Sequence, residues 1–205
     1  MAADFSREQV LLAQQFQHIA GVDEVGRGPW AGPVVACAVI LNPTQLPHGA
    51  DDSKKLSAKR REELYAQIMA TAHVGLGEAS VAEIDTLNIR NATFVAMQRA
   101  VAALPVVPDF LLIDGNALPP NLPCKASAVI GGDGKSLSIA AASIVAKVVR
   151  DKLMAELHDT FPHYGWNSNA GYGTAAHQAG LASHGVTPHH RTSFAPIAAL
   201  VKRAG

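Results

Sequence analysis

From about residue 17 the chain alternates compact apolar runs with amphipathic stretches. "HIAGV" and "VVACAVIL" are nearly continuous apolar runs, which predicts strands over about residues 17–24 and 33–41, buried on both faces. "HVGLGEAS" reads as a short third strand, "DFLLIDG" as a compact fourth ending at Asp114, and "KASAVIGGDG" as a fifth that runs into a glycine turn. Between them the period changes to that of helices. Ser57 opens a helix to about residue 71 with Leu64 and Ile68 on its inner face. Ser80 and Glu83 form an S-x-x-E capping pattern for a helical stretch reaching about residue 104, whose Phe94, Met97, Val101 and Leu104 share one side. Pro105 and Pro108 stop it. "SLSIAAASIVAKVVRDKLMAELHDTF" predicts a long helix with Leu137, Ala141, Ile144 and Val148 inward, and its alanine run lets a neighbour sit close. Beyond Pro162 the chain turns polar, aromatic and glycine-rich before short helices at about 175–184 and 195–203. Strands interleaved with helices predict a three-layer α/β fold with a helical C-terminal lobe.

Composition bounds this picture. With 205 residues, 48% of them hydrophobic, the chain can bury one substantial core. Its 17 basic and 17 acidic residues cancel, which disfavours strong non-specific binding to nucleic acid unless charge is locally segregated. The basic clusters "KKLSAKRR", "KVVRDK" and "HHR" read as solvated faces. Cys37 and Cys124, far apart in apolar surroundings, read as buried reduced thiols. The N-terminus carries charges where a signal peptide needs an apolar stretch, and no run approaches the ~18 residues of a membrane span. A cytoplasmic location is the expectation.

Candidate chemistry lies in the acids. Asp23, Glu24, Asp114 and Asp133 each stand where a predicted strand meets a glycine-containing turn. Ligand sites of open α/β sheets form outside strand ends, and carboxylates gathered there repel one another unless something positive joins them. A hard divalent cation such as magnesium takes oxygen ligands of this kind. Capping and ordinary surface acids are the alternative reading. Neighbours in a regular strand point to opposite faces, so Asp23 and Glu24 share a site only if the strand bends or ends there, as Gly26 and Gly28 permit. Asp151, deep in the long helix, reads as structural. The histidines lack zinc spacing, and "GDGKS" lacks the first glycine of a phosphate loop, because position 129 is Val129.

Six pieces, "GVDEVGRGPWAGPVVACAVI", "DDSKKLS", "LLIDGN", "GDGKSLSIAAASIVAKVVRD", "GYGT" and "HHRTSFAPI", occur in an order that resembles ribonuclease HII, the type 2 ribonuclease H family. The resemblance spans about Gly21 to Ile197. It implies an RNase H-like mixed five-stranded sheet flanked by helices, divided into an N-terminal arm (1–16), a catalytic domain (17–160) and a C-terminal helical segment over the substrate cleft (161–205). It implies endonucleolytic cleavage of RNA in RNA–DNA hybrids and nicking at single ribonucleotides in duplex DNA, leaving 5′-phosphate and 3′-hydroxyl ends. Asp23, Glu24, Asp114 and Asp133 match the family's acidic site for Mg2+ or Mn2+, with two cations expected alongside substrate. Gly26, Arg27 and Gly28 match the loop that recognises the ribose 2′-hydroxyl. Lys54 matches a substrate-binding position, and Tyr172 the tyrosine that stacks on the next deoxyribose. A monomer is implied. Gly131, where the family often has lysine, and Val149, in place of the commoner threonine, depart from the pattern.

Overall fold

The computed structural model describes residues 3–204. Its strands are β1 (Ile19–Val25), β2 (Val34–Ile40), β3 (His73–Ala79), β4 (Phe110–Asp114) and β5 (Lys125–Val129), in the order β3-β2-β1-β4-β5. β1, β2 and β3 form an antiparallel meander, while β4 lies parallel to β1 and β5 parallel to β4. The sheet is therefore mixed, as expected.

Helices cover both faces. α1 (Ser6–Ala13) precedes the sheet; α2 (Ala58–Thr71) follows β2; α3 (Val81–Leu87) and α4 (Ile89–Ala102) follow β3. The long α5 (Leu137–Thr160) follows β5, and α6 (Trp166–Asn169), α7 (Ala175–His184) and α8 (Ala195–Ala204) complete the C-terminal segment. Ala20, Val22, Ala36 and Ala38 pack toward α4, with Leu111 and Ile113 of β4. Cys37 and Val39 pack the other way, against Leu64 and Ile68 of α2 and Ala141 and Ile144 of α5. This period-2 division puts β1's even positions toward α4 and its odd positions toward α5.

Glycine allows the layers to approach. A Cβ at Gly21 would lie 2.1 Å from the Ser138 carbonyl carbon, so α5 crosses β1 at backbone contact. Gly75 and Gly77 of β3 do the same for α4, whose Ala100 and Ala96 carbonyl oxygens would stand 2.1 and 2.3 Å from the added carbons.

Two elements differ from expectation. The stretch expected to be one helix to about 104 is two, because Asn88 takes φ 67° and restarts the chain. The Asn88 side chain accepts from the backbone N–H of Arg90 and Asn91, and so caps α4 while it ends α3. The expected capping box does form, with Glu83 N–H donating to Ser80 Oγ and Ser80 N–H to Glu83 Oε2. The other difference is α1, a helix within the arm. Its buried Glu8 accepts from Ser136 Oγ at 2.6 Å and Ser138 N–H at 2.9 Å, placing a carboxylate at the N-terminus of α5. Cys37 is buried and Cys124 half-buried, both as free thiols, so only the first matches the expectation of burial.

Gly21→Ala should destabilise the protein by about 2–3 kcal/mol, the scale of overpacking a tight core contact. Urea unfolding of the two forms measures this, and an unchanged midpoint would mean that α5 is free to shift.

Candidate active site

β1 and β4 remain paired as far as Val22 and Ile113, so the next residues along the two strands are Asp23 and Asp114. They stand side by side on the face toward α5. Glu24 points to the opposite face, but at the strand ends the two faces open into one cleft. A cavity of about 300 Å³ is lined by Asp23, Glu24, Gly26, Lys54, Asp114, Asp133 and Tyr172, among others. Glu24 and Asp114 also line an adjoining cavity with Arg27 and Asn116, so they form the ridge between the two. The strand need not bend for neighbouring acids to meet; ending beside β4 is enough.

Each acid is held by its surroundings. Asp23 is buried and accepts the Glu24 N–H at 2.7 Å. Burial, with the charges of Glu24 and Asp114, pushes its carboxyl well above the ordinary range. Glu24 is also raised by burial, against the lowering effect of Arg27, whose Nη1 lies 3.2 Å from Glu24 Oε1. Asp114 Oδ1 accepts the Gly132 N–H at 2.6 Å, tying β4 to the turn Gly132–Gly134 that carries Asp133. Asp133 is raised by burial and by the charges of Asp52 and Asp114, while Lys54 opposes the shift.

Among the described residues no three His, Cys, Asp or Glu side chains form a ready cage for an ion. The donors facing the cavity nonetheless suit a hard divalent cation. They are carboxylate oxygens, mutually repulsive and partly desolvated, and Mg2+ needs only one or two of them beside water and phosphate. Asp151 stays outside this set, paired with Lys147 at 2.6 Å one turn away on α5.

The glycine loop after β1 is fixed by two arginines that the sequence reading placed on solvated faces. Both are buried instead. Arg191 donates to the carbonyl oxygens of Gly26 (2.6 Å), Arg27 (2.9 Å) and Gly32 (2.8 and 2.9 Å). Arg150 donates to those of Ala31 (3.1 Å), Pro33 (3.0 Å) and Ala170 (2.9 Å). Burial lowers their pKa values to about 9 and about 10, so both stay cationic at neutral pH. A trans peptide directs its N–H opposite to its C=O. With the Gly26 and Arg27 carbonyls turned in toward Arg191, the N–H groups of Arg27 and Gly28 turn outward.

Tyr172 lies over this loop, half exposed. A Cβ at Gly28 would stand 3.2 Å from its ring, and one at Gly173 would enter the Trp30 ring. Trp30 N–H donates to Gly171 O at 2.8 Å, so the C-terminal segment is bonded to the loop it covers. The two departures from the family pattern lie apart from these contacts. Gly131 has φ 62° with open space where a Cβ would stand, and Val149 packs among residues of the α2–α5 cluster.

A family model described as Ribonuclease HII matches residues 20–197. A ribonuclease HII of Jannaschia sp. (strain CCS1) is 63% identical over 98% of this chain and 99% of its own. The chain belongs to the ribonuclease HII family. It is thus a ribonuclease H, an endoribonuclease acting on RNA–DNA hybrids. Among solved structures, ribonuclease H2 from Pyrococcus horikoshii OT3 superposes with a TM-score of 0.75 at 22% identity, covering 91% of this chain and 98% of that one. The ribonuclease HII of Archaeoglobus fulgidus, solved in complex with PCNA, gives 0.73 at 26% identity over 87% and 95%. These likenesses bear out the RNase H-like fold. Among the described residues no helix is long and apolar enough to cross a membrane.

The raised Asp23 carboxyl makes a stability prediction. Folding favours its protonated form, which stabilises below the unfolded value of about 3.9 and ceases to do so as pH rises through the folded value. Without divalent cation at pH 7, Asp23→Asn should therefore raise Tm, by about 2–4 °C. The gap to the natural protein should narrow as pH falls toward 4. A Tm lowered by the substitution at pH 7 would contradict the electrostatic account.

Proposed function

We propose that this ribonuclease H also nicks duplex DNA at single embedded ribonucleotides, with Asp23, Glu24, Asp114 and Asp133 holding Mg2+ or Mn2+. The observation that carries this reading is the single cavity lined by the four acids, Gly26 and Tyr172. In it, ribose recognition and phosphate chemistry are neighbours.

The outward N–H groups of Arg27 and Gly28 donate to the 2′-hydroxyl, which deoxyribose lacks. Tyr172, over Gly28, stacks on the deoxyribose that follows, so that ring and loop together test for a change of sugar. Lys54, on the cavity wall beside Asp133, pairs with a backbone phosphate. The bound cation supplies Lewis-acid stabilisation of charge at the scissile phosphate. Asp23 and Asp114, side by side at the strand ends, would hold it, with Glu24 and Asp133 as further oxygen donors in the same cavity. Water adds to phosphorus and the P–O3′ bond breaks, leaving a 5′-phosphate and, once the proton reaches O3′, a 3′-hydroxyl. The protein contributes positioning and charge, with no covalent nucleophile.

Asp114→Asn should lower nicking of a labelled duplex carrying one ribonucleotide by about 100-fold or more, yet leave the duplex bound. The amide keeps the shape but loses the charge that holds the cation. Near-normal turnover by this variant at saturating magnesium would remove Asp114 from the site, and an intact duplex after incubation with the natural protein would refute the nicking activity.

A further inference from the structure

His177 and His190, two of the histidines without zinc spacing, are both buried behind Tyr172. Their hydrogen bonds can be assigned from groups that have only one role. Thr187 N–H, always a donor, lies 2.9 Å from His190 Nδ1, which must accept. The His190 proton is then on Nε2, 3.0 Å from His177 Nε2. Trp166 Nε1–H, again only a donor, also points at His177 Nε2, at 3.3 Å. That nitrogen accepts, so the His177 proton is on Nδ1, 3.0 Å from the Tyr172 carbonyl oxygen, which only accepts. Thr187, His190, His177 and Tyr172 are linked donor to acceptor without a gap.

Only one protonation state satisfies this chain. A proton on His190 Nδ1 would face the Thr187 N–H, and one on His177 Nε2 would face two donors. Burial lowers the pKa of both rings, that of His190 to about 4 with the help of His177 and His189. The titratable and charged neighbours do not reverse this. Tyr164, packed against both rings, commits its hydroxyl to Gly185 O at 3.0 Å, and Arg191, next in sequence, is itself cationic.

We infer that His177 and His190 are positioning residues: as a neutral pair they fix the Tyr172 peptide, and with it the ring over Gly28, and so set the enzyme's preference for a ribose–deoxyribose junction. The inference rests on the junction-reading role proposed for Tyr172. The imidazoles touch no substrate. They act by holding the carbonyl of the residue that does, and His190 precedes Arg191, which holds the loop on the other side of the 2′-hydroxyl.

The test compares single-turnover cleavage of a duplex with one ribonucleotide against a continuous RNA–DNA hybrid. His177→Leu should lower the ratio of the two rates by about 5- to 10-fold, the scale of one buried hydrogen bond. His177→Asn, whose amide N–H2 can replace the Nδ1 donor, should recover most of it. Adding His177→Leu to Tyr172→Ala should leave the ratio where Tyr172→Ala puts it. Equal losses on both substrates with His177→Leu, accompanied by a fall in Tm, would reduce His177 to packing and overturn the inference. Equal losses with Tyr172→Ala would instead overturn the junction reading beneath it. Should the leucine variant fail to fold, the asparagine variant and ring 15N NMR of the natural protein decide. The expected spectrum has the proton on Nδ1 of His177 and on Nε2 of His190; either opposite tautomer breaks the relay.

Discussion

Two buried guanidinium groups solvated by main-chain carbonyls organise the candidate site. Arg150 and Arg191 lose water on folding, and the carbonyl oxygens of Gly26, Arg27, Ala31, Gly32, Pro33 and Ala170 replace it. An unpaired buried charge is costly, so these contacts cannot loosen one at a time without exposing a cation to an apolar interior. The result is a rigid loop in a segment that glycine would otherwise leave free. Because the carbonyls face inward, the amides face outward, and the loop becomes a donor surface beside the acids.

The acids present the opposite case, like charges held close with little to neutralise them. Arg27 reaches Glu24, and Lys54 acts on Asp133, but Asp23 has two acidic neighbours and is buried. The fold tolerates this because α5 and the sheet around it are closely packed, with Gly21 at backbone contact with Ser138. A cation held at the strand ends, as proposed, would relieve the repulsion that Glu24 and Asp114 exert on Asp23. The protein thus joins an anionic pocket to a cation-stiffened loop.

Much of this could be read along the chain. Strand-end acids followed by glycines identified Asp23, Glu24, Asp114 and Asp133 as a group, and the cavity they line now brings them together. Why Asp23 and Glu24 can share it needed the sheet, since it depends on where β1 and β4 stop pairing. Arg150 and Arg191 were unreadable as buried, because a basic residue solvated by distant carbonyls leaves no local pattern. His177 and His190 were hidden for a similar reason: 13 residues apart, they meet only through the turn after α7. Asn88 broke a helix whose hydrophobic period ran through it, and the buried Glu8 of α1 contradicts the amphipathic rule by which helices are recognised.

Arg191, by fixing the glycine loop, is proposed to let the protein sense one 2′-hydroxyl. That role is tested most directly by equilibrium binding without divalent cation, where nothing is cleaved, to two duplexes differing only in a single ribose. The natural protein should prefer the ribose-containing duplex by about 10-fold, the scale of a buried hydrogen-bonded recognition contact. Arg191→Met should bind both duplexes with the affinity the natural protein shows for all-DNA. An unchanged preference in a folded Arg191→Met variant would contradict the account.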